Sequence, residues 1–296
     1  MKTIAELHKK AESNKHSKIV SLAAAHDEQA LEAVCTAKQK NIAEAVLVGY
    51  KKEIEAIAQR KNFDLSGFEI IDCKSEKECV QKAVQKVSSG EADILMKGKV
   101  STSGLLRGVL NDEWGLKTGR LLSHFTIFEL NNYHKLLGVT DVAMNIAPDL
   151  KEKIGILNNS VQYMNQIGIK NPKVAVVAAV EKVNPKMPAT IDAAVMAKMS
   201  DRKQITGCTV DGPFALDNAL SKESAENKGI VSDVAGDADL ILVPNIETGN
   251  VFYKALAFTD AKLAAVILGA SAPIVLTSRS DSKESKLNSL VLAAVS

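Results

Sequence analysis

Asp93-Ile-Leu-Met-Lys-Gly-Lys-Val-Ser-Thr-Ser-Gly-Leu-Leu-Arg107 decides how the rest of the chain is read. The apolar run from Ile94 to Met96 predicts a buried strand, Lys97-Gly98-Lys99 a glycine-centred loop carrying two lysines, and Ser101, Thr102 and Ser103 the start of a helix. A helix N-terminus presents N–H groups without intrahelical partners and the positive end of the macrodipole, a combination suited to an anion, phosphate above all. Lys97, Lys99 and Arg107 place full positive charges around the same point, and Ser103 and Arg107, four apart, share one helix face. The competing reading is an ordinary strand–turn–helix crossover with solvated lysines, since short phosphate-loop patterns recur by chance.

The device recurs near the other end of the chain, in Pro273-Ile-Val-Leu-Thr-Ser-Arg-Ser-Asp-Ser282. A strand ending at Thr277 puts Ser278 and Arg279 at its carboxyl end, where ligands of open α/β sheets bind. A helix follows, and Asp281 with Glu284 has the spacing of a capping box. A plain helix cap beside a surface arginine is the alternative.

Between these segments, apolar runs alternate with helical-period stretches, the pattern of an α/β fold. Strands are expected at 19–24, 45–48, 69–72, 93–96, 124–129, 136–139, 174–179, 209–210, 240–243, 265–268 and 274–277, and helices at 27–40, 75–88, 151–167, 189–199, 215–226 and 282–295, among others. From His124 to Val139 the rhythm changes to two strands around Leu130-Asn-Asn-Tyr-His134, which reads as a hairpin and marks a domain boundary. The expected division is a first α/β domain of residues 1–125 with 279–296 and a second of residues 126–278. No stretch is rich enough in Pro or Gly to be a tether, so the domains share crossing elements.

Polar clusters follow several strands. Thr140-Asp141 leads to Met144-Asn145, Asp211-Gly212-Pro213 follows Val210, and Pro244 to Asn250, with Lys254 a turn further, follows Val243. Each alone is an ordinary turn or helix cap. Together with the two anion devices they give five strands ending in polar loops, as a cleft between α/β domains requires.

Composition removes other classes. The chain has 296 residues and a net charge of +2, with aromatics at only 4%. That offers neither a field for nucleic acid or anionic membrane nor a base-stacking surface. Cys35, Cys73, Cys79 and Cys208 show no zinc-type spacing, and free thiols in a cytoplasmic protein are expected. The N-terminal segment has no apolar signal region, and Leu263–Leu276 is too short to span a bilayer. Asp233, Asp237 and Asp239 do not specify a hard-metal site and read as a loop entering the strand at Leu240. His124 reads as a hydrogen-bonded structural residue. The absence of GxSxG, GxGxxG and GxxxxGK[ST] counts against serine hydrolases, simple dinucleotide enzymes and P-loop proteins.

Met96-Lys-Gly98 with Ser101 to Arg107, Lys117-Thr-Gly-Arg-Leu-Leu-Ser-His124, Val139-Thr-Asp-Val-Ala-Met-Asn-Ile-Ala-Pro148, Val183-Asn-Pro-Lys-Met-Pro188, Val210-Asp-Gly-Pro213 and Pro273 to Arg279 resemble, in order, the phosphate acetyltransferase/phosphate butyryltransferase family. The first three stretches are more similar to the butyryl branch. The resemblance implies two α/β domains of the isocitrate/isopropylmalate dehydrogenase type with an interdomain cleft, and assembly as a homodimer or higher homo-oligomer. It also implies reversible transfer of an acyl group between CoA and inorganic phosphate, giving acyl phosphate. No metal or redox cofactor is implied, CoA being substrate and product. Ser278 and Arg279 match the family's phosphate-end serine and arginine, and Arg107 matches a further anion-binding arginine.

One position departs from the pattern. Phosphate acetyltransferases carry an aspartate seven residues after that serine, assigned to deprotonating the CoA thiol, and here Ser285 stands there. Glu284 and Asp281 are the nearby carboxylates, Glu284 being taken as the candidate catalytic one. Phosphate or CoA contacts are expected from Lys97, Lys99, Ser101, Thr102, Ser103, Thr140, Asp141, Asn145, Asp211 and Asn250. The rival readings are a phosphate acetyltransferase, a nicotinamide-dependent dehydrogenase of related fold, and a non-catalytic CoA-binding protein.

Overall fold

Each expected strand coincides with an observed one, the 274–277 run as Ile274–Val275 with Thr277 outside the described residues, and the central parallel strands, covered on both faces, are continuously rather than alternately apolar. The computed structural model describes residues 1–14, 17–259, 261–276 and 281–296. They divide into two units, one of Ala5–Arg120 with Ala264–Ser296 and one of Met1–Ile4 with Leu121–Leu263.

In the first unit, β1 (Lys18–Ala23), β2 (Ala43–Gly49), β3 (Glu69–Asp72) and β4 (Ile94–Lys97) alternate with α2 (Glu28–Gln39), α3 (Lys51–Lys61) and α4 (Glu76–Ser88). β4 leads into α5 (Thr102–Val109). The strand order is β3-β2-β1-β4-β11-β10, where β10 is Lys262–Leu268 and β11 is Ile274–Val275. β1 to β4 and β11 run parallel, while β10 is antiparallel to β11. The chain steps from β1 outward to β3, and α4 then carries it back to place β4 on the other side of β1. Leu22, Leu47, Ile94, Leu95 and Met96 fill the centre of this sheet's core.

The return into this unit falls at Ala264, not at residue 279, because β11 pairs in register with β4 (Ile274 with Leu95) and β10 pairs with β11. The last helix, α11 (Lys283–Ala294), packs on α2, while α1 (Ile4–Glu12) is tied to α11 by His8 Nε2 and Asn288 Oδ1 at 2.8 Å.

The second unit contains β5 (Ser123–Glu129), β6 (Leu137–Thr140), α6 (Leu150–Gln166), β7 (Lys173–Val177), α7 (Pro188–Asp201), β8 (Thr209–Phe214), β9 (Leu240–Leu242) and α10 (Ile246–Phe258). Its order is β5-β6-β9-β7-β8. β5 and β6 form the expected antiparallel hairpin, and the remaining pairs are parallel. Phe128, Leu137, Val139, Ala175, Phe214 and Ile241 form its core. The expected helix over 215–226 is two short helices, α8 (Leu216–Leu220) and α9 (Lys222–Asn227), because Ser221 leaves helical geometry to cap the second, accepting from Ser224 N–H at 3.2 Å.

Candidate active site

Lys97 ends β4 and is buried, its ammonium donating to the Gly98 carbonyl at 3.2 Å. The next residues are laced to the end of β1: Gly98 N–H donates to Ala23 O (2.8 Å) and Lys99 N–H to Ala24 O (2.9 Å). Only glycine fits at 98, since a Cβ there would stand 2.3 Å from Ala24 O. This close crossing aims the chain into α5. Ser101 is the N-cap, its hydroxyl accepting from Gly104 N–H at 3.0 Å, and Ser101 N–H donates to Glu76 Oε1 at 3.4 Å.

Thr102 and Ser103, the first residues of the helix, have N–H groups with no acceptor among the described residues. Both side chains are exposed, the Ser103 hydroxyl 3.4 Å from that of Ser101. Arg107 is exposed with no hydrogen bond or ion pair among the described residues, and Lys99, also exposed, holds a loose 3.8 Å pair with Glu53. The first unit thus gathers Lys97, Lys99, Ser101, Thr102 and Ser103 around one helix start, with Arg107 in the last turn of the same helix. Ser101 is occupied as a cap, whereas the N–H groups of Thr102 and Ser103 and the Arg107 guanidinium are available to an anion.

In the second unit, Thr140 and Asp141 sit at the end of β6, joined by a cis peptide bond. Thr140 is buried and donates to His124 O at 3.0 Å. Asp141 is buried and saturated: Oδ1 accepts from Ala143 and Met144 N–H, both at 3.0 Å, and Oδ2 accepts from the Asn145 backbone (3.2 Å) and side-chain amide (2.5 Å). Asn145 Nδ2 also donates to Leu122 O at 2.9 Å. Asp141 therefore folds the loop around itself, and its carboxylate has no lone pair left for a ligand. The first turn of α10 lies against this loop so closely that a Cβ on Gly249 would stand 2.6 Å from Asp141 O, and Asn250 Nδ2 points at Val142 O from 3.5 Å. Thr140, Asp141, Asn145 and Asn250 are thus one cluster.

Asp211 is not part of that cluster. Expected in a loop after Val210, it lies inside β8, paired with Ala175, and its carboxylate accepts from Gly212 N–H at 2.8 Å. Two strands, β9 and β7, separate β8 from β6. Asp-Gly-Pro reads locally as a turn, but the irregular register between Ala175 and Val177 lets the strand run through it.

Ser278 and Arg279 lie outside the described residues. The capping box expected at Asp281 and Glu284 does not form. Ser282 is the N-cap, accepting from Ser285 N–H at 3.1 Å, so the helix starts one residue later than the box requires. Glu284 is exposed in the first turn of α11, and its carboxylate is not used as a cap. Nearby, Lys286 is buried, which lowers its pKa, and its ammonium donates to Asp281 O at 3.4 Å.

His26 and Tyr50 escaped the sequence reading. Their rings stack at 4.3 Å in the first unit, although the residues stand far apart in the chain and nothing in their local context marks them. His124 hydrogen-bonds the Thr126 hydroxyl at 3.2 Å and meets Tyr253 edge-on.

Known proteins align along this whole framework. The family described as phosphate acetyl/butaryl transferase matches residues 2–83 and 76–294. The phosphate butyryltransferase of Clostridium acetobutylicum is 53% identical over 296 residues, covering 100% of this chain and 98% of that protein. The phosphate acetyltransferase of Thermotoga maritima is 45% identical over 94% of this chain and 95% of its own. Among solved structures, a branched-chain phosphotransacylase from Enterococcus faecalis V583 superposes with a TM-score of 0.81 at 34% identity, covering 94% of this chain and 98% of that one. The chain belongs to the phosphate acetyltransferase/phosphate butyryltransferase family.

Proposed function

We propose that this protein is an acyltransferase moving a short-chain acyl group, butyryl or a branched short chain, reversibly between CoA and inorganic phosphate. The observation that carries the reading is 53% identity to a phosphate butyryltransferase over the entire chain. In the direction from acyl-CoA, a phosphate oxygen attacks the thioester carbonyl. The C–S bond breaks, the acyl–oxygen bond forms, and the CoA thiolate leaves and takes up a proton. In reverse, a base removes the thiol proton and the thiolate attacks the acyl phosphate. Both partners are anionic, so the protein's main task is fixed positive charge and alignment.

Arg107 and the N–H groups of Thr102 and Ser103 are suited to hold phosphoryl oxygens, the guanidinium bidentately. Arg279 is assigned the same work, and Ser278 a hydrogen bond to phosphate or to the carbonyl oxyanion. Glu284, exposed and not engaged as a cap, is assigned as the thiol base. A ternary complex fits better than an acyl-enzyme on cysteine. All four thiols are buried, and burial pushes Cys35 and Cys208 up to about 11, leaving them protonated and weakly nucleophilic at neutral pH.

Phosphate-dependent release of CoA, measured across acetyl-, propionyl-, butyryl-, isobutyryl- and isovaleryl-CoA, tests the proposal. Turnover highest with the four-carbon or branched substrates is expected, and none with any of the five overturns it. Clear preference for acetyl-CoA would move the chain to the acetyl branch, a reading favoured by the 45% identical Thermotoga maritima protein. Homo-oligomeric assembly is part of the proposal. It is supported by α10, which buries only Gly249 and leaves Val251 and Phe258 69% and 89% exposed. A cytoplasmic setting is supported by four buried, unpaired thiols.

A further inference from the structure

The strand order of the first unit reverses between β1 and β4, and open parallel sheets bind ligands at such a reversal, outside the carboxyl ends of the strands. The loop after β1 contributes His26 and the loop after β4 contributes Lys99 and the start of α5. His26 is only 6% exposed. Its Nδ1 accepts from Tyr50 N–H at 3.4 Å, and its ring is stacked on Tyr50. Burial lowers the imidazole's pKa, so the ring is neutral at pH 7, and with Nδ1 accepting, the proton is on Nε2.

That Nε2–H has no acceptor among the described residues. The charged groups around the ring are Glu53, Lys99, Asp27 and Glu76. Each carboxylate is engaged: Asp27 caps α2 through Ala30 N–H (2.9 Å), Glu76 accepts from Ser101 N–H, and Glu53 pairs with Lys99. The donors at the reversal are one imidazole N–H, the Lys99 ammonium in its loose pair with Glu53, and the open N–H groups of Thr102 and Ser103, beside the carboxylates of Glu53, Asp27 and Glu76.

We infer that the reversal point between β1 and β4 is a phosphoryl-binding subsite in which His26 donates a hydrogen bond from Nε2. The choice of a phosphoryl oxygen rests on the acyl-transfer reading above, while the existence of a donor site there does not. Two sources carry the group, inorganic phosphate and CoA, and titration separates them.

Protein labelled with ¹⁵N at its histidines is titrated with inorganic phosphate, CoA and dephospho-CoA, with His26→Asn used to assign the ring signal. The Nε2-bound proton is expected to move downfield as its acceptor binds. A response to inorganic phosphate assigns the substrate phosphate. A response to CoA but not dephospho-CoA assigns the 3′-phosphate, and equal responses to both assign the diphosphate. His26→Phe, which keeps a ring on Tyr50 but no donor, is expected to weaken the responding titrant about 10- to 100-fold, the value of one hydrogen bond to a charged group. His26→Asn, which keeps an N–H donor, is expected to retain most of the affinity. No movement of the His26 signal with any of the three titrants overturns the inference, and this holds even where the Phe variant does not fold. A responsive His26 in a protein that turns over no acyl-CoA would instead sink the acyl-transfer reading and leave the subsite standing.

Discussion

Replacing Arg107 by alanine separates a functional arginine from a structural one. The side chain is exposed and has no hydrogen bond or ion pair among the described residues, so nothing in the fold depends on it. Thermal and urea unfolding of Arg107→Ala should match the wild type within about 0.5 kcal/mol, as for surface positions away from caps and networks. Catalysis should not be spared. A guanidinium gripping a phosphoryl group makes two parallel charge-assisted hydrogen bonds, each worth about 1.5–3 kcal/mol. Lys97, Lys99 and the helix start remain to hold part of the charge, so the lower end of that sum applies, a fall of about 100-fold in kcat/KM for phosphate. Arg107→Lys, which restores the charge but not the planar fork, should recover only part of it. Steady-state kinetics with phosphate varied at saturating acyl-CoA is the assay. Unchanged kcat/KM in the alanine variant, or a loss that tracks unfolding, would refute the reasoning.

Other positions give independent checks. Asp141→Asn turns one of two carboxylate oxygens, facing four N–H donors in all, into a donor itself. A loss of about 2–4 kcal/mol in urea unfolding is expected, and a neutral result would contradict its role as the loop's organiser. At α11, Ser282→Ala should cost about 1 kcal/mol while Asp281→Asn leaves the helix cap intact, and the reverse ranking would restore the capping box.

Asp237 accepts from Lys173 (2.6 Å), Lys135 (3.0 Å) and His134 (2.8 Å). Burial pushes its carboxyl up, but these partners outweigh it and hold the group well below the carboxylate range. Its stabilisation is therefore complete above the unfolded value near 4 and fades as pH falls below it. The stability gap between wild type and Asp237→Asn should shrink from pH 7 to pH 3 in urea titrations. A gap that widens on acidification would be inconsistent with a depressed pKa.

Much of the architecture was readable because it is written in local periodicity. Runs such as Ile94–Met96 and Leu240–Leu242 are apolar at every position, as suits a short strand covered on both faces, and Ser75 and Asp27 announce the helices they cap. The anion-suited start of α5 was legible for the same reason, since its strand, glycine, cap and arginine are consecutive. Reading failed where a local motif had more than one use. Asp211-Gly-Pro213 has the composition of a turn yet continues β8, because pairing with β7 outweighs turn preference. Asp281 and Glu284 have box spacing, but Ser282 takes the cap position.

The sequence by itself determined the fold class, the strand positions and the family, through motifs whose order and spacing survive without coordinates. Only the tertiary structure decided that Asp141 is consumed by its own loop, that Ser101 is a cap while Arg107 stands open, and that His26 joins Lys99 at the strand reversal. Those outcomes depend on which elements lie side by side in the sheet. Residues brought together by β1 pairing with β4 are far apart along the chain, and no local pattern records that they meet.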